Sequence, residues 1–584
     1  MKDPEKEARL SHIRHSLAHL LAITAKDYDP EARLTIGPPT RNGFYYDIEF
    51  QKEAPSKKDL KNFEKKMRSL IREGLGFKRE EVSEEKARDF FGKNPYKLEI
   101  INGIVAEKQP ISFYHTGNFT DLCRGGHVES TAEISPEAFK LTDISGAYWR
   151  GDEKNPMLTR ISGIAFESKE ELEDFLTLQE EAKKRDHRKL GKELDLFTFS
   201  DLVGPGLPLF TPKGTAMREA IVEKIQSIQK PLGYQNVCIP HITKNDLYKK
   251  SGHWEKFGDE LFKVKGGSSN TEFVMKPMNC PHHTQIYASS PKSYRDLPVR
   301  YAEITMVYRD EQAGELLGLS RVRSITQDDA HIFCTEDQIE DEIKKIISVA
   351  KDFYTSLELW SEESVFLSVS VRDPKTPEKY LGDEKTWDQA EMILENLAEK
   401  TGIPWEKVEG EAAFYGPKLD FMLKDALGRD WQLATIQLDF VQPVRFGLEY
   451  TASDGTKKTP VMIHRAIAGS LERFLSVIIE HFAGAFPFWL APVQAAVLPI
   501  SGEQNEYAEK VAEELRVKNI RIESWTGNDS LGKKIREGKK QKIPYLLVVG
   551  NKEKDSETVS VESRDNGALG NQTIEEFLKA MTEK

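Results

Sequence analysis

Apolar runs broken by loops rich in glycine and charge set out the elements of this chain. From 301 to 333, YAEITMVYRDEQAGELLGLSRVRSITQDDAHIF reads as one apolar run, a charged glycine-containing loop and a second apolar run. That pattern predicts an antiparallel pair of strands with Arg309 and Glu311 at the start of the loop. Further on, VQAAVLPIS, IRIESW, IPYLLVVGN and TVSVES alternate with helical patterns from Gln504 to Lys518 and from near Ser530 to Glu537. The alternation predicts a compact α/β domain on a mixed sheet. Near the N-terminus, HSLAHLLA predicts a helix with His15 and His19 four residues apart, so both rings project from one face. A longer helical pattern begins near Ser168 and ends in EEAKKRDHRKLGKELDLF, a connector between an N-terminal region and the larger C-terminal part of the chain.

Composition bounds this picture. A chain of 584 residues exceeds what one core spans, so about three or four domains are expected. No apolar run reaches membrane-spanning length, and MKDPEKEARLSH is charged where a signal peptide would be apolar. These features predict a soluble cytoplasmic protein with no membrane partner. Cys123, Cys238, Cys280 and Cys334 are too few and too scattered for a disulfide framework, which leaves reduced thiols for packing or metal. The net charge of −12 gives no global support to nucleic-acid binding, so RNA contact must rest on local patches. LGKKIREGKKQK, 531 to 542, is such a patch, with six basic residues and one acidic. The basic end of the connector is another, and fits a solvated helix face as well as RNA contact.

Candidate chemistry falls in two groups. Cys280 in MKPMNCPHH, His331 in TQDDAHIFC and His464 in VMIHRAIAGSLERF each stand beside a stretch that reads as active-site backbone. One thiolate and two imidazoles form a zinc set with a vacant fourth position, which suits catalytic rather than structural zinc. The gaps between them are too long for a finger or ribbon. The second group is His15 and His19 with Cys123 and His127 of DLCRGGHVEST, again four apart. Those are zinc-ligand types as well, and a histidine pair among leucines also fits core packing.

The strand pair with Arg309 and Glu311 resembles motif 2 of class II aminoacyl-tRNA synthetases. MKPMNCP, the R-x-E segment followed by GLSRVR, TQDDAHIF and HRAIAGSLERF occur in the order found in threonyl-tRNA synthetases, and the resemblance covers 191 to 584. GYQNVCIPHI around Pro240 is similar to motif 1, the strand and helix at the dimer interface of the class. The N-terminal third resembles the family's editing domain, through YKLEII with Lys97 and TDLC with Asp121. The expected fold is therefore multidomain α+β. It comprises an editing domain (1–165), a helical linker (166–190), a class II antiparallel sheet flanked by helices (191–488) and an α/β anticodon-binding domain (489–584).

The resemblance implies roles residue by residue. Arg309 would grip the ATP α-phosphate and Arg473 the γ-phosphate, a task suited to the planar guanidinium fork. Glu311 and Arg321 would place the adenine ring and tail of ATP. Gln327 and Asp329 would line the threonine side, with Asp329 orienting the bound hydroxyl, and Met278, Tyr415, Lys418, Gln432, Thr435 and Ser470 would complete the substrate pocket. EAAFYGPKLDF and WQLATIQLDF are expected as two further strands of the sheet. Zn²⁺ on Cys280, His331 and His464, and Mg²⁺ with ATP, are the implied ions. His15, His19, Lys97, Asp121, Cys123 and His127 would form an editing site working without metal, and Asn528 and Glu553 would read the anticodon. Implied partners are tRNA(Thr), ATP, threonine and a second copy of the chain.

Physical chemistry says why two sites would be needed. Valine has nearly the volume of threonine, and an apolar pocket rejects such an isostere poorly, whereas an open zinc position binds amino and hydroxyl groups that valine lacks as a pair. Serine keeps both groups and loses one methyl, worth about 1–3 kcal/mol or roughly 10- to 200-fold. A second, hydrolytic pocket would close that gap. Three departures accompany the likeness. With fourteen residues ahead of His15, no small ubiquitin-like domain is expected before the editing domain. Gly126 stands where the family shows proline, which should loosen the turn before His127, and Glu562 stands where it shows arginine. Two other readings remain open: a non-catalytic paralogue binding tRNA or mRNA, and a metal-dependent hydrolase built on the N-terminal His and Cys group.

Overall fold

The computed structural model describes residues 4–267, 271–361 and 363–582, and the chain divides into two units, 1–180 and 181–584. In the first, helix Pro4–Tyr28 buries Leu17, Leu20 and Leu21 completely against Phe44, Tyr46 and Ile48. Those three come from strand Gly43–Glu49 of a four-stranded antiparallel sheet, ordered Arg33–Leu34, Gly43–Glu49, Met157–Ala165, Phe139–Tyr148. Helix Leu60–Arg72 closes the same core with Leu60, Phe63, Met67, Leu70 and Ile71, the three-to-four-residue spacing of one helix face. A smaller antiparallel sheet, Phe77–Glu81, Ser112–Thr116, Phe119–Leu122, carries Asp121 and leads into Cys123.

The connector is helical from Lys169 to Arg185, breaks at Asp186, and resumes from His187 to Glu193 with the Asp186 carboxylate accepting the N–H of Arg188.

The second unit is built on an eight-stranded sheet. Its spatial order is Gln235–Asn236, Val299–Tyr308, Ser324–Cys334, Val461–Ala466, Asp430–Asp439, Lys418–Lys424, Val365–Val371, Trp405–Glu409. The six inner strands are antiparallel, as the resemblance implies, and each edge strand is parallel to its neighbour. One face is sealed by helices, among them Pro212–Gln229, Ile339–Thr355 and Leu471–His481, over the main core. Asp328 accepts from Arg465 Nη1 at 2.8 Å and from the N–H groups of Ile467 and Ala468, so a buried charge pair pins strands Ser324–Cys334 and Val461–Ala466 together on that side. The other face carries the chemistry.

Residues beyond 490 form the expected mixed sheet, in the order Ile522–Ser524, Ala495–Pro499, Tyr545–Val549, Val559–Ser563, Gly567–Gln572. Its first three strands are parallel and the last two antiparallel. The predicted helices appear as Asn505–Val517 and Leu531–Lys540. The last strand, and helices Asn551–Asp555 and Ile574–Thr582, add to the reading from sequence. Among the described residues no helix is long and apolar enough to cross a membrane.

Candidate functional site

A cavity of about 810 Å³ opens on the free face of the eight-stranded sheet. Side chains two apart on a strand share a face, so strand Ser324–Cys334 sends Ile325, Gln327, Asp329 and His331 into it while Asp328 and Ile332 turn to the core. His331 stands directly opposite His464 across the ladder, and Cys280 arrives at the N-terminus of helix Cys280–Ala288. The Sγ and ring nitrogens of Cys280, His331 and His464 all lie within 4.8 Å of one another, and all three residues are buried. His331 Nδ1 lies 2.8 Å from His283 Nδ1, and His283 Nε2 lies 3.6 Å from Glu303. His464 Nε2 is 2.9 Å from Asp439, whose carboxylate also accepts the N–H groups of Val441 and Gln442. Each imidazole is thus oriented from outside, leaving its other nitrogen for the cluster. Burial pushes the Cys280 thiol well above its ordinary range and holds His331 well below the ordinary imidazole value, so the histidine stays neutral.

The same cavity is also lined by two cations. Arg309 is held against Met278 Sδ (3.4 Å) and over the Phe257 ring (4.9 Å), with its Nε unpartnered among the described residues. Arg473 lies over the Trp431 ring at 5.7 Å, one turn into helix Leu471–His481, whose N-cap Ser470 accepts its backbone N–H. Burial lowers the pKa of both guanidinium groups, which nonetheless stay charged. Two poorly neutralised arginines in one cavity, Arg309 half-buried and Arg473 more exposed, favour an anion with more than one charge. At the mouth, Glu311 and Arg321 pair with each other at 2.7 Å.

On the third side, Tyr415 donates to Gln437 (2.6 Å) and stacks on His464, while Gln432 and Thr435 both donate to Asp420 at 2.8 Å. Asn279 donates to Asp329 at 2.8 Å, and burial raises the Asp329 carboxyl.

In the N-terminal unit a second cavity, of about 320 Å³, is lined by His15, His19, Tyr46, Lys97, Asp121 and Cys123, among others. Lys97 and Asp121 form a buried pair at 2.6 Å, and Tyr46 donates to the other Asp121 oxygen at 2.5 Å. Cys123 Sγ lies 3.5 Å from His15 Nε2 and 3.3 Å from His127 Nε2. Burial lowers the pKa of His15, His19 and His127, so all three rings are neutral, and it raises the Cys123 thiol to about 11.

Family models match three stretches: the tRNA synthetase class II core domain (G, H, P, S and T) over 262–482, an anticodon binding domain over 494–584, and the threonyl and alanyl tRNA synthetase second additional domain over 111–162. A threonine–tRNA ligase of Gloeobacter violaceus is 50% identical, with the alignment covering all of this chain and 93% of the relative. The chain belongs to the threonine–tRNA ligase family. A Thermus thermophilus member is 48% identical over 99% of this chain and 88% of its own length. Among solved structures, a threonyl-tRNA synthetase RNA binding domain from Cryptosporidium parvum is 37% identical, with a TM-score of 0.65 over 68% of this chain and 98% of that one. A prolyl-tRNA synthetase from Giardia lamblia, 17% identical with a TM-score of 0.54 over 70% and 79%, shares the fold.

Against this threonine–tRNA ligase frame, several placements differ from the sequence reading. Lys418 does not line the cavity; it pairs with Asp420 at 3.2 Å, behind Gln432 and Thr435. Tyr415 precedes its strand instead of lying on it. His127 is stacked between His15 and Phe77 (4.2 and 4.7 Å) and supports the second cavity from behind rather than lining it. Gly126 has φ +89°, which proline, fixed near −65°, does not reach; the turn is differently shaped, not a loosened version of a proline turn. Glu562 pairs at 2.7 Å with Lys539 of the basic helix. Asn528 is exposed in the loop after strand Ile522–Ser524. Glu553 follows strand Tyr545–Val549 and accepts the N–H of Gly550 at 2.9 Å. Sequence reasoning missed His253, whose Nε2 lies 3.6 Å from Cys280 Sγ, along with His283 and Tyr46. The only signal for His283 was its place in the CPHH string; His253 and Tyr46 had none.

Proposed function

We propose that the chain activates threonine with ATP, transfers it to the 3′ end of tRNA(Thr), and hydrolyses mischarged seryl-tRNA in its N-terminal cavity. The observation that carries this reading is one cavity lined both by a buried Cys-His-His set and by two poorly neutralised arginines. The donor set fits zinc in ligand type and number, and both imidazoles are already oriented by His283 and Asp439. Cys280, His331 and His464 would hold the ion, which when bound supplies an open position for the amino and hydroxyl groups of the amino acid. ATP would enter with Mg²⁺ on its phosphates.

The chain's own residues then account for the positioning. Asp329, held by Asn279, accepts a hydrogen bond from the threonine hydroxyl and orients it; Met278, Gln327, Tyr415, Gln432, Thr435 and Ser470 enclose the amino acid, and Lys418 fixes Asp420 behind them. Attack of the threonine carboxylate on the α-phosphate brings anion to anion. Arg309 at the α-phosphate and Arg473 at the γ-phosphate neutralise that encounter, and no nucleophilic side chain is required. Glu311 and Arg321 seat the adenine and the tail of ATP. Pyrophosphate leaves, and the tRNA 3′-terminal hydroxyl then attacks the adenylate carbonyl to release AMP. In the second cavity, Lys97, Asp121, His15, His19 and Cys123 would hold seryl-tRNA and a water, with His127 behind.

On this reading the domain roles follow the boundaries expected from sequence: editing within 1–165, a linker at 166–190, catalysis within 191–488 and anticodon recognition within 489–584. Asn528 and Glu553 both lie beyond the carboxyl ends of the parallel strands, where open α/β sheets bind ligands, which supports an anticodon role. Threonine-dependent exchange of pyrophosphate into ATP is the decisive assay. A non-catalytic paralogue or a simple hydrolase would show none.

The two-residue strand Gln235–Asn236 ends the eight-stranded sheet beside Pro240, and an isologous dimer would cover that edge. Light scattering at micromolar concentration is expected to give twice the 66.5 kDa chain mass. A value near one chain would contradict the dimer.

A further inference from the structure

The loop that carries Glu311 and Arg321 is held from behind by a residue outside the cavity. His187 opens the short helix after the connector and is 3% exposed. Its Nε2 accepts the backbone N–H of Leu319, a fully buried loop residue, at 3.1 Å. A backbone N–H can only donate, so Nε2 carries no proton and the ring proton sits on Nδ1, where it is donated to Glu480 at 2.7 Å. The contact is close enough to dictate the loop sequence. Gly318 has φ +51°, and a Cβ there would sit 2.3 Å from His187 Nε2.

Glu480 belongs to helix Leu471–His481 and ties both halves of the anion site together. Arg473, Ser476 and Glu480 come at i, i+3 and i+7, so they share one helix face. Arg473 reaches the cavity, Ser476 Oγ meets Ser320 Oγ of the loop at 2.9 Å, and Glu480 takes His187. The other Glu480 oxygen accepts from Arg429 at 2.6 Å; Arg429 also pairs with Asp425, which accepts the indole N–H of Trp431, the ring under Arg473. Burial alone would raise the Glu480 carboxyl, and hydrogen bonds from His187 and Arg429 hold it below its ordinary value. Asp186, His187 and Glu480 bring three metal-type donors together, yet both His187 nitrogens are engaged and Asp186 is taken by Arg188.

We propose that His187 is a positioning residue for the ATP half of the active site, setting the loop of Glu311 and Arg321 against the helix of Arg473 through its bonds to Leu319 and Glu480. This rests on the reading that the cavity binds ATP. Losing the acceptor strands a buried N–H, so His187→Ala is expected to raise the KM for ATP in pyrophosphate exchange by about tenfold or more. The KM for threonine, whose Cys280, His331, His464 and Asp329 the network does not touch, should stay within about twofold. His187→Gln can return an amide oxygen to the Nε2 position and should recover most of the loss. His187→Asn reaches toward Glu480 only and should not.

Gly318→Ala attacks the same contact from the loop side and should reproduce the ATP-selective defect. If His187→Ala fails to fold, the Gln and Asn variants, compared at matched thermal midpoints, decide the matter. Equal rises in both KM values, a Gln variant no better than Asn, or an ATP KM unchanged in all of them would overturn the proposal. A parent protein without threonine-dependent exchange would overturn the ATP reading itself, a different and separately visible failure.

Discussion

Cys280→Ala is expected to leave the folded protein without zinc and to lower threonine-dependent pyrophosphate exchange by about a thousandfold or more, since losing one of three ligands forfeits several kcal/mol of binding. Cys280 is 1% exposed and its neighbours His331 and His464 approach from facing strands, so no other thiol among the described residues can substitute. Elemental analysis of the parent should find one zinc per chain, and the variant none. The histidines and carboxylates behind the ligands make a graded companion: His283→Ala removes the group that orients His331, and should weaken zinc binding by about 10- to 100-fold without removing a ligand. Retention of zinc in Cys280→Ala, or full exchange by a metal-free parent, would refute the assignment. Two zinc ions per chain would place a second ion elsewhere, with the His15, His19, Cys123, His127 group the obvious alternative.

The parts of this architecture that could be read from sequence are those with local causes. The strand pair around the loop from Arg309 arises from two apolar runs broken by a charged, glycine-containing loop, and the two-residue repeat of any strand then puts Gln327, Asp329 and His331 on one face. The four-residue spacing of His15 and His19 likewise needs only a helix, and the helix runs from Pro4 to Tyr28. Convergence of distant segments is another matter. Nothing local brings His253 to Cys280 or Tyr46 to Asp121, because those meetings depend on how helices and sheets pack. Strand Gly567–Gln572 was missed because GALGNQ has no apolar alternation; it is recruited by pairing with Val559–Ser563. The parallel edge strands are two and five residues long, too weak to read, and each follows a helix that delivers the chain to the sheet edge. His127 looked like a cavity residue by its partnership with Cys123, yet the positive φ of Gly126 tucks it beneath His15. Spacing identified the group but not the roles within it.

The N-terminal cavity yields the other large effect. The double variant His15→Ala, His19→Ala should keep threonine activation at the parent level, because both histidines belong to the unit 1–180 and the Cys-His-His cavity to the unit 181–584. The same variant should lose hydrolysis of seryl-tRNA and accumulate it. The synthetic cavity separates serine from threonine by one methyl group, about 1–3 kcal/mol or roughly 10- to 200-fold, so mischarging at the percent level is expected once hydrolysis is gone. His19 is 2% exposed, and removing a buried ring also risks the fold. Thermal unfolding of the variant is therefore measured beside the parent, and His19→Gln, which keeps polar atoms and most of the volume, separates the two effects. With the fold intact, hydrolysis at the parent rate would return His15 and His19 to the role of packed core histidines. Loss of hydrolysis with threonine activation unchanged would place the serine-rejecting chemistry between the Lys97–Asp121 pair and the neutral rings of His15 and His19.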